Sequence, residues 1–247
     1  MNKDFYVIIP ARYQSSRFPG KLLMELQGMT VIERVYRQAL KANPKKVIIA
    51  TDHQGLFEHA RGFGADVRMT AASHQSGTDR IAEVVAKEAF AADDIIVNVQ
   101  GDEPLIAPAL ITQVAECLAA VDTPMATLCW PIKDIATRDN PNVVKVVRDC
   151  NHHALYFSRS AIPAHREAFD DCRLVFRHIG LYAYRASFLL DVVRWPLCEL
   201  EALEALEQLR VLWSGHKIKV EEACVPPLQD INTTEDLAEA CRQLATE

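Results

Sequence analysis

A chain of 247 residues with 49% hydrophobic and 24% charged side chains has the make-up of a globular protein and the length to bury a sizeable core. Its formal net charge of −6 argues against a protein that coats nucleic acid, which needs a basic surplus to neutralise phosphates, so any anion site must be local. The seven cysteines form no CxxC pair and their odd number does not suit a complete disulfide framework, while none of the eight histidines falls into zinc-ligand spacing with a cysteine; reduced thiols and a cytoplasmic setting are expected.

The first apolar run, "FYVII" at Phe5–Ile9, is far shorter than a signal h-region or a bilayer span, so no membrane insertion is expected. It is followed by the cationic stretch "PARYQSSRFPGK", Pro10 to Lys21. Next come "TVIERVYRQALKA" with helical period, "KVIIA", "TDRIAEVVAKEAF" and "DIIVNV". Short Val/Ile runs alternating with helical stretches indicate βαβ units and a parallel sheet. Val31, Val35 and Ala39 form one apolar stripe on the first helix. "TVIE" at Thr30–Glu33 and "SGTD" at Ser76–Asp79 each place an acid three residues after a hydroxyl, the pattern of a capping box. Farther on, "MATLCW", "VVKVV", "HALYF" and "HIGLYAY" are strand-like with few helices between them, which predicts antiparallel pairing or a projecting subdomain. One helix is expected at "ELEALEALEQLRVLW" and another at "TTEDLAEACRQL". The fold class is therefore α/β: a mostly parallel central sheet with flanking helices and a smaller strand-rich part in the second half, within one domain over 1–247.

In open α/β sheets ligands bind outside the carboxyl ends of the strands. The loop after the first strand lacks both GxGxxG and GxxxxGK[ST], so it does not cradle phosphate by glycine-rich backbone. Arg12, Arg17 and Lys21 supply charge directly, with Ser15 and Ser16 between the arginines and Pro19-Gly20 turning the chain before Lys21. A triphosphate fits such a loop; solvated surface cations are the plainer alternative. The run ending in "VNVQGDEP" places Gln100, Asp102 and Glu103 at the same sheet edge, where a carboxylate suits magnesium shared with phosphates. The alternative is an acidic pair capping the helix that starts near Pro108.

"IIPARYQSSRFPGK", "ATDH", "HQSGTDR", "VNVQGDEPLI", "NPNVVKVV", "ALYFSRSAIP", "RHIGLYAYR" and "LEALEQLRVLW" stand in the order and spacing of the CTP:3-deoxy-manno-octulosonate cytidylyltransferases, the CMP-Kdo synthetase family of the nucleotide-diphospho-sugar transferase superfamily, and the resemblance covers nearly the whole chain. It implies transfer of CMP from CTP to an ulosonic acid sugar, Kdo, for lipopolysaccharide biosynthesis, by a magnesium-dependent homodimer. Residues 1–125 would form mainly the nucleotide-binding half, and 126–247 mainly the sugar-binding and dimerisation half. Arg12, Ser15, Arg17 and Lys21 match the triphosphate grip, and Ser76, Gly77 and Arg80 the cytosine-reading loop. By the same resemblance Gln100 would sit between nucleotide and sugar, and Asp102 matches the metal ligand. Arg12, Lys21 and Asp102 would carry the catalytic role. Arg159, His178, Tyr182, Glu207 and Gln208 match sugar-binding positions, an Arg or His suiting the acid's carboxylate and Glu or Gln its hydroxyls.

One block departs from the family pattern. Where the family has "VDTPEDL", this chain has "INTTEDL", so the second metal position is Asn232, with Asp230 as an alternative ligand and helix capping as a third reading. Two rival activities stay open at this level: the same chemistry on another acid sugar, such as 8-amino-Kdo or a sialic-type acid, and a non-catalytic nucleotide-binding regulator.

Overall fold

In the computed structural model, residues 4–13, 20–168, 171–228, 236, 238 and 240–242 are described. Phe5–Ala11 forms β1; Val7 and Ile9 pack into the core on one side of the sheet, Ile8 into the core on the other, and none of the three is exposed. Burial on both faces is why this run reads as continuously apolar. A 3-10 turn at Lys21–Leu23 and a small hairpin of β2 (Glu25–Leu26) and β3 (Met29–Thr30) lead into α1 (Val31–Lys41). Its Val31, Val35 and Ala39 stripe is buried, joined by Ile32. The Thr30 hydroxyl accepts from the Glu33 N–H at 3.4 Å, but the Glu33 carboxylate turns to Arg37 at 2.7 Å, so this capping box is only half made.

The chain continues through β4 (Lys46–Thr51), α2 (Gln54–Gly62), β5 (Asp66–Met69), α3 (Gly77–Lys87), β6 (Ile95–Asn98) and α4 (Pro108–Ala119). At α3 the predicted box is complete: the Asp79 N–H donates to Ser76 Oγ at 3.0 Å and the Ser76 N–H to Asp79 Oδ2 at 3.1 Å. The second half supplies β7 (Met125–Pro131), α5 (Ile135–Asp139), β8 (Lys145–Arg148), β9 (Ala154–Ser158), β10 (Phe176–Arg185), α6 (Ala186–Val192), α7 (Glu199–Glu204), α8 (Gln208–Trp213) and β11 (Ile218–Glu222).

The main sheet runs β11-β7-β10-β6-β1-β4-β5. β1 pairs parallel with β4 and β6, β4 with β5, and β7 with β11, whereas β10 runs antiparallel between β6 and β7. The strand-rich second half is not detached: β8 and β9 pair antiparallel and extend from β10.

The helix expected over "ELEALEALEQLRVLW" is two helices, broken at Ala205, which takes a left-handed φ of 50°. Tertiary hydrogen bonds outcompete helix continuation there. The Glu204 carbonyl accepts from Arg159 Nε at 2.7 Å, and its carboxylate accepts from Ser158 Oγ at 2.6 Å and from the Arg159 N–H at 2.9 Å. The helix expected over "TTEDLAEACRQL" is described at Asp236, Ala238 and Ala240–Arg242, all helical. Among the described residues no helix is long and apolar enough to cross a membrane, and Cys117, Cys129, Cys150, Cys198, Cys224 and Cys241 carry free thiols.

Candidate active site

Two turns meet at the carboxyl edge of β1 and β6. A Cβ on Gly101 would lie 2.9 Å from the Pro10 carbonyl oxygen, so only glycine lets the acidic turn approach the cationic one this closely. The contact brings Lys21 Nζ into an ion pair with Asp102, with Lys21 8% exposed and the Asp102 side chain 27% exposed. Gly20, at φ 73°, closes the loop with its N–H on the Tyr13 carbonyl at 3.2 Å and aims Lys21 inward. Ser15 and Arg17 lie outside the described residues. α4 begins after Ala107 with no side-chain cap, so Asp102 and Glu103 do not cap that helix.

Arg12 is exposed and donates from Nη1 to the Gln75 carbonyl at 2.7 Å, which ties the cationic loop to the "HQSG" loop. In that loop a Cβ on Gly77 would meet Pro10 Cγ at 3.2 Å, another close approach to the end of β1. His74 bonds the Glu83 carboxylate, which also accepts from Lys87 and from the Ala71 N–H at 2.8 Å. Burial pushes the Glu83 carboxyl up, but the bonds from Lys87, Ala71 and His74 outweigh it and hold it at about 2. Arg80 differs from the role its motif suggests. It is wholly buried, and its guanidinium is engaged by Asp52 at 2.6 Å, by Thr70 and by the Ala71 carbonyl at 3.4 Å. Its place is behind the loop, bracing it from the end of β4.

A cleft of about 380 Å³ opens beside the Lys21–Asp102 pair and brings Gly77, Gln100 and Asp102 of the first half to His178, Tyr182, Glu207 and Gln208 of the second. The α7–α8 break explains the last two: Glu207 stands just before α8 and Gln208 is its first residue, so both face the cleft where a continuous helix would have carried them round its axis. Across the opening, Thr78 Oγ1 donates to Glu207 Oε2 at 2.7 Å. Glu207 remains exposed as a residue, while protein crowds its carboxyl end; that burial raises its pKa against the opposing Thr78 bond.

His178 lies on β10 with Nε2 3.2 Å from Thr127 Oγ1. The single Thr127 hydroxyl proton faces the carbonyls of Ile179 at 2.9 Å and Leu181 at 2.8 Å, so the imidazole donates to the hydroxyl. Burial, with the Arg177 cation beside it, lowers the His178 pKa to about 3. A neutral ring offers hydrogen bonds where the sequence allowed for a cation facing the sugar carboxylate. Burial likewise raises the phenol pKa values of Tyr182 and Tyr184.

Arg159 is not among the side chains brought to the cleft wall. Its guanidinium caps the carbonyls of Glu204 at 2.7 Å, Pro141 at 3.1 Å and Ala205 at 3.4 Å. Thr78, Asn98 and Tyr184 are polar lining residues that sequence reasoning missed. Asn98 is 2% exposed, with Oδ1 lacking a partner among the described residues. An asparagine inside a Val/Ile strand, where that residue is disfavoured, was the available signal.

Among the described residues no group of three or more His, Cys, Asp or Glu side chains is placed to hold a metal, and Asn232 and Asp230 fall outside them. Asp102 is a hard oxygen donor at the cleft, and a site of one or two carboxylates completed by phosphates is the usual form for magnesium.

The sequence profile of the cytidylyltransferase family matches residues 6–218. A protein of Legionella pneumophila (strain Lens) named 3-deoxy-manno-octulosonate cytidylyltransferase is 65% identical over 96% of this chain and 95% of its own length. One of the same name from Vibrio cholerae serotype O1 (strain M66-2) is 51% identical over 99% and 98%. A solved structure of CMP:2-keto-3-deoxy-manno-octonic acid synthetase complexed with CTP matches with a TM-score of 0.92 and 36% identity over 99% of both chains. A 4-diphosphocytidyl-2C-methyl-D-erythritol synthase from Anaerococcus prevotii shares the fold at a TM-score of 0.64 and 13% identity. With the profile running from β1 to the start of β11 and close relatives aligned along nearly their whole length, this chain belongs to the cytidylyltransferase family.

Proposed function

We propose that this chain transfers CMP from CTP to 3-deoxy-manno-octulosonate (Kdo) and releases pyrophosphate. The observation that carries the reading is the single cleft in which the Lys21–Asp102 pair stands beside Gln100, His178, Tyr182, Glu207 and Gln208. The anomeric hydroxyl of the sugar attacks the α-phosphorus in line; its proton passes to water, the new O–P bond forms as the bond to the pyrophosphate oxygen breaks, and no covalent enzyme intermediate is needed. Such chemistry rests on positioning and on neutralising developing charge.

Lys21 is the fixed cation for the phosphates. Arg12, held by its bond to the Gln75 carbonyl, is the exposed one that can turn to them. Ser15 and Arg17 complete the grip by resemblance. Ser76 and Gly77 border the base, with Arg80 bracing their loop. Gln100 lies between nucleotide and sugar, while Glu207 and Gln208 receive sugar hydroxyls and the neutral His178 and Tyr182 hydrogen-bond the acid sugar. Asp102 would hold magnesium together with the phosphates, with Asn232 or Asp230 as a further ligand, and the ion would supply Lewis-acid polarisation of the phosphoryl oxygens. A homodimer working in the cytoplasm, with its product feeding lipopolysaccharide synthesis, belongs to the same proposal.

The test is pyrophosphate release with each nucleoside triphosphate against several acid sugars. Turnover with CTP and Kdo that exceeds every other pairing is expected; preference for a different acid sugar, or CTP binding without pyrophosphate, would overturn the reading.

A further inference from the structure

Lys145, the first residue of β8, has no solvent exposure. Its ammonium donates to three backbone carbonyls, Asn140 at 2.9 Å, Val143 at 2.6 Å and Arg159 at 2.5 Å. An ammonium has three N–H donors, so this set matches its capacity. Two of the carbonyls belong to the loop between α5 and β8 and the third to the turn after β9, so one buried charge draws two separate segments together.

The loop before β8 borders the acid-sugar end of the cleft. Asn142, Val143 and Val144 line a cavity of about 210 Å³ that shares Glu103, His178 and Gly180 with the main cleft. The Val144 carbonyl, next to Lys145, accepts from the His178 N–H at 2.8 Å. From the other side the Arg159 guanidinium reaches Pro141 of the same loop and Glu204 and Ala205 at the break that presents Glu207. Carbonyl oxygens converging on one point make a strongly negative pocket, the coordination that a potassium or ammonium ion finds in a protein. Without the cation, the Val143 and Arg159 carbonyls would lose the ammonium donor while the Asn140 carbonyl kept only the Val143 N–H at 3.1 Å, and separation of these mutually repelling oxygens would release the loop. A planar guanidinium cannot reproduce three donors diverging from one nitrogen.

We propose that Lys145 is a positioning residue for the acid sugar: a built-in monovalent cation whose carbonyl cage sets the loop 140–144, and through it His178 and the Glu207 segment. The inference rests on reading the His178–Glu207 end as the sugar site.

The experiment compares Lys145→Met and Lys145→Arg with the wild type, measuring KM for Kdo and for CTP in sodium, ammonium and methylammonium chloride at matched ionic strength. Both variants should raise the Kdo KM roughly tenfold or more, because small displacements of positioning groups are costly, while the CTP KM stays within about twofold. Ammonium should restore Lys145→Met toward the wild-type KM and leave the wild type unchanged. A wild-type Kdo KM in Lys145→Met, an equal rise in both KM values, or ammonium acting no better than sodium would overturn the proposal. If Lys145→Met is recovered unfolded, refolding yields in ammonium and sodium decide it: a higher yield in ammonium supports the cage, equal yields refute it. Should the wild type fail to turn over Kdo, the sugar-site reading itself has failed, and the melting temperature of Lys145→Met in ammonium against sodium still decides whether the cage takes a cation.

Discussion

Lys21 and Asp102, eighty-one residues apart in sequence, pair their charges at the meeting point of two strand-end loops. This mostly buried lysine and partly buried carboxylate are the groups proposed to meet a nucleotide's phosphates and their metal. Replacing Lys21 with alanine should lower kcat by about 10² to 10³, the scale of one preorganised charge-stabilising group, while circular dichroism and gel filtration match the wild type. Near-normal turnover in a folded variant would remove Lys21 from the chemistry.

Asp102→Asn keeps the shape of the turn and removes its charge. The variant should need roughly tenfold more magnesium for half-maximal rate, as expected when one anionic ligand becomes neutral. A magnesium titration at saturating CTP reads this directly, and an unchanged half-saturation point would place the metal elsewhere.

Thr78 and Glu207 join the loop proposed to read the base to the proposed sugar side through one 2.7 Å hydrogen bond. Bonds to charged groups contribute about 1.5–3 kcal/mol when shielded, and this one stands at an open rim, so the lower end applies. Thr78→Val should raise the Kdo KM roughly tenfold with little change in the CTP KM. Steady-state kinetics with each substrate varied in turn would show the split; equal effects on both would mean that Thr78 serves only the loop.

The buried imidazole of His178 gives a pH signature. Its pKa falls to about 3 in the fold, from an ordinary value of 6.5. Below pH 6.5 the unfolded chain takes up a proton that the folded chain refuses, so stability is full above that value and declines as pH drops toward about 3. Melting temperatures followed down this window should fall less steeply for His178→Gln than for the wild type. The Kdo KM should show no His178 titration between about pH 6 and 8, because the ring is neutral throughout.

The apolar runs legible in the sequence are β1, β4 and β6, and the Ser76–Asp79 box forms as its spacing predicts. Local patterns of this kind need only neighbouring residues to act. The Lys21–Asp102 encounter was legible once both loops were assigned to strand ends, because sheet topology fixes where such ends lie. The break at Ala205 was not: "LEALEALEQL" keeps helical period, no glycine or proline marks it, and the bonds that stop α7 come from Ser158 and Arg159 far away in sequence. Arg80 was legible as a functional motif but not as a buried brace, since its partner Asp52 follows a different strand. Lys145 passed unnoticed because a lysine in a strand reads as an exposed residue, and its cage is made of backbone.

β10 runs against its neighbours β6 and β7, with Tyr182 opposite Asn98 and Arg185 opposite Ile95. Reversal means that it contributes its opening residues, His178 among them, at the rim where β1 and β6 contribute the turns leaving their final residues. The cleft is thus furnished by exits on one flank and an entrance on the other, and the two flanks answer to separate stretches of chain. On the proposed assignment of the two flanks, altering acceptor preference is a matter of editing residues near the head of one reversed strand and the helix junction beside it, leaving the loops proposed to bind the donor untouched.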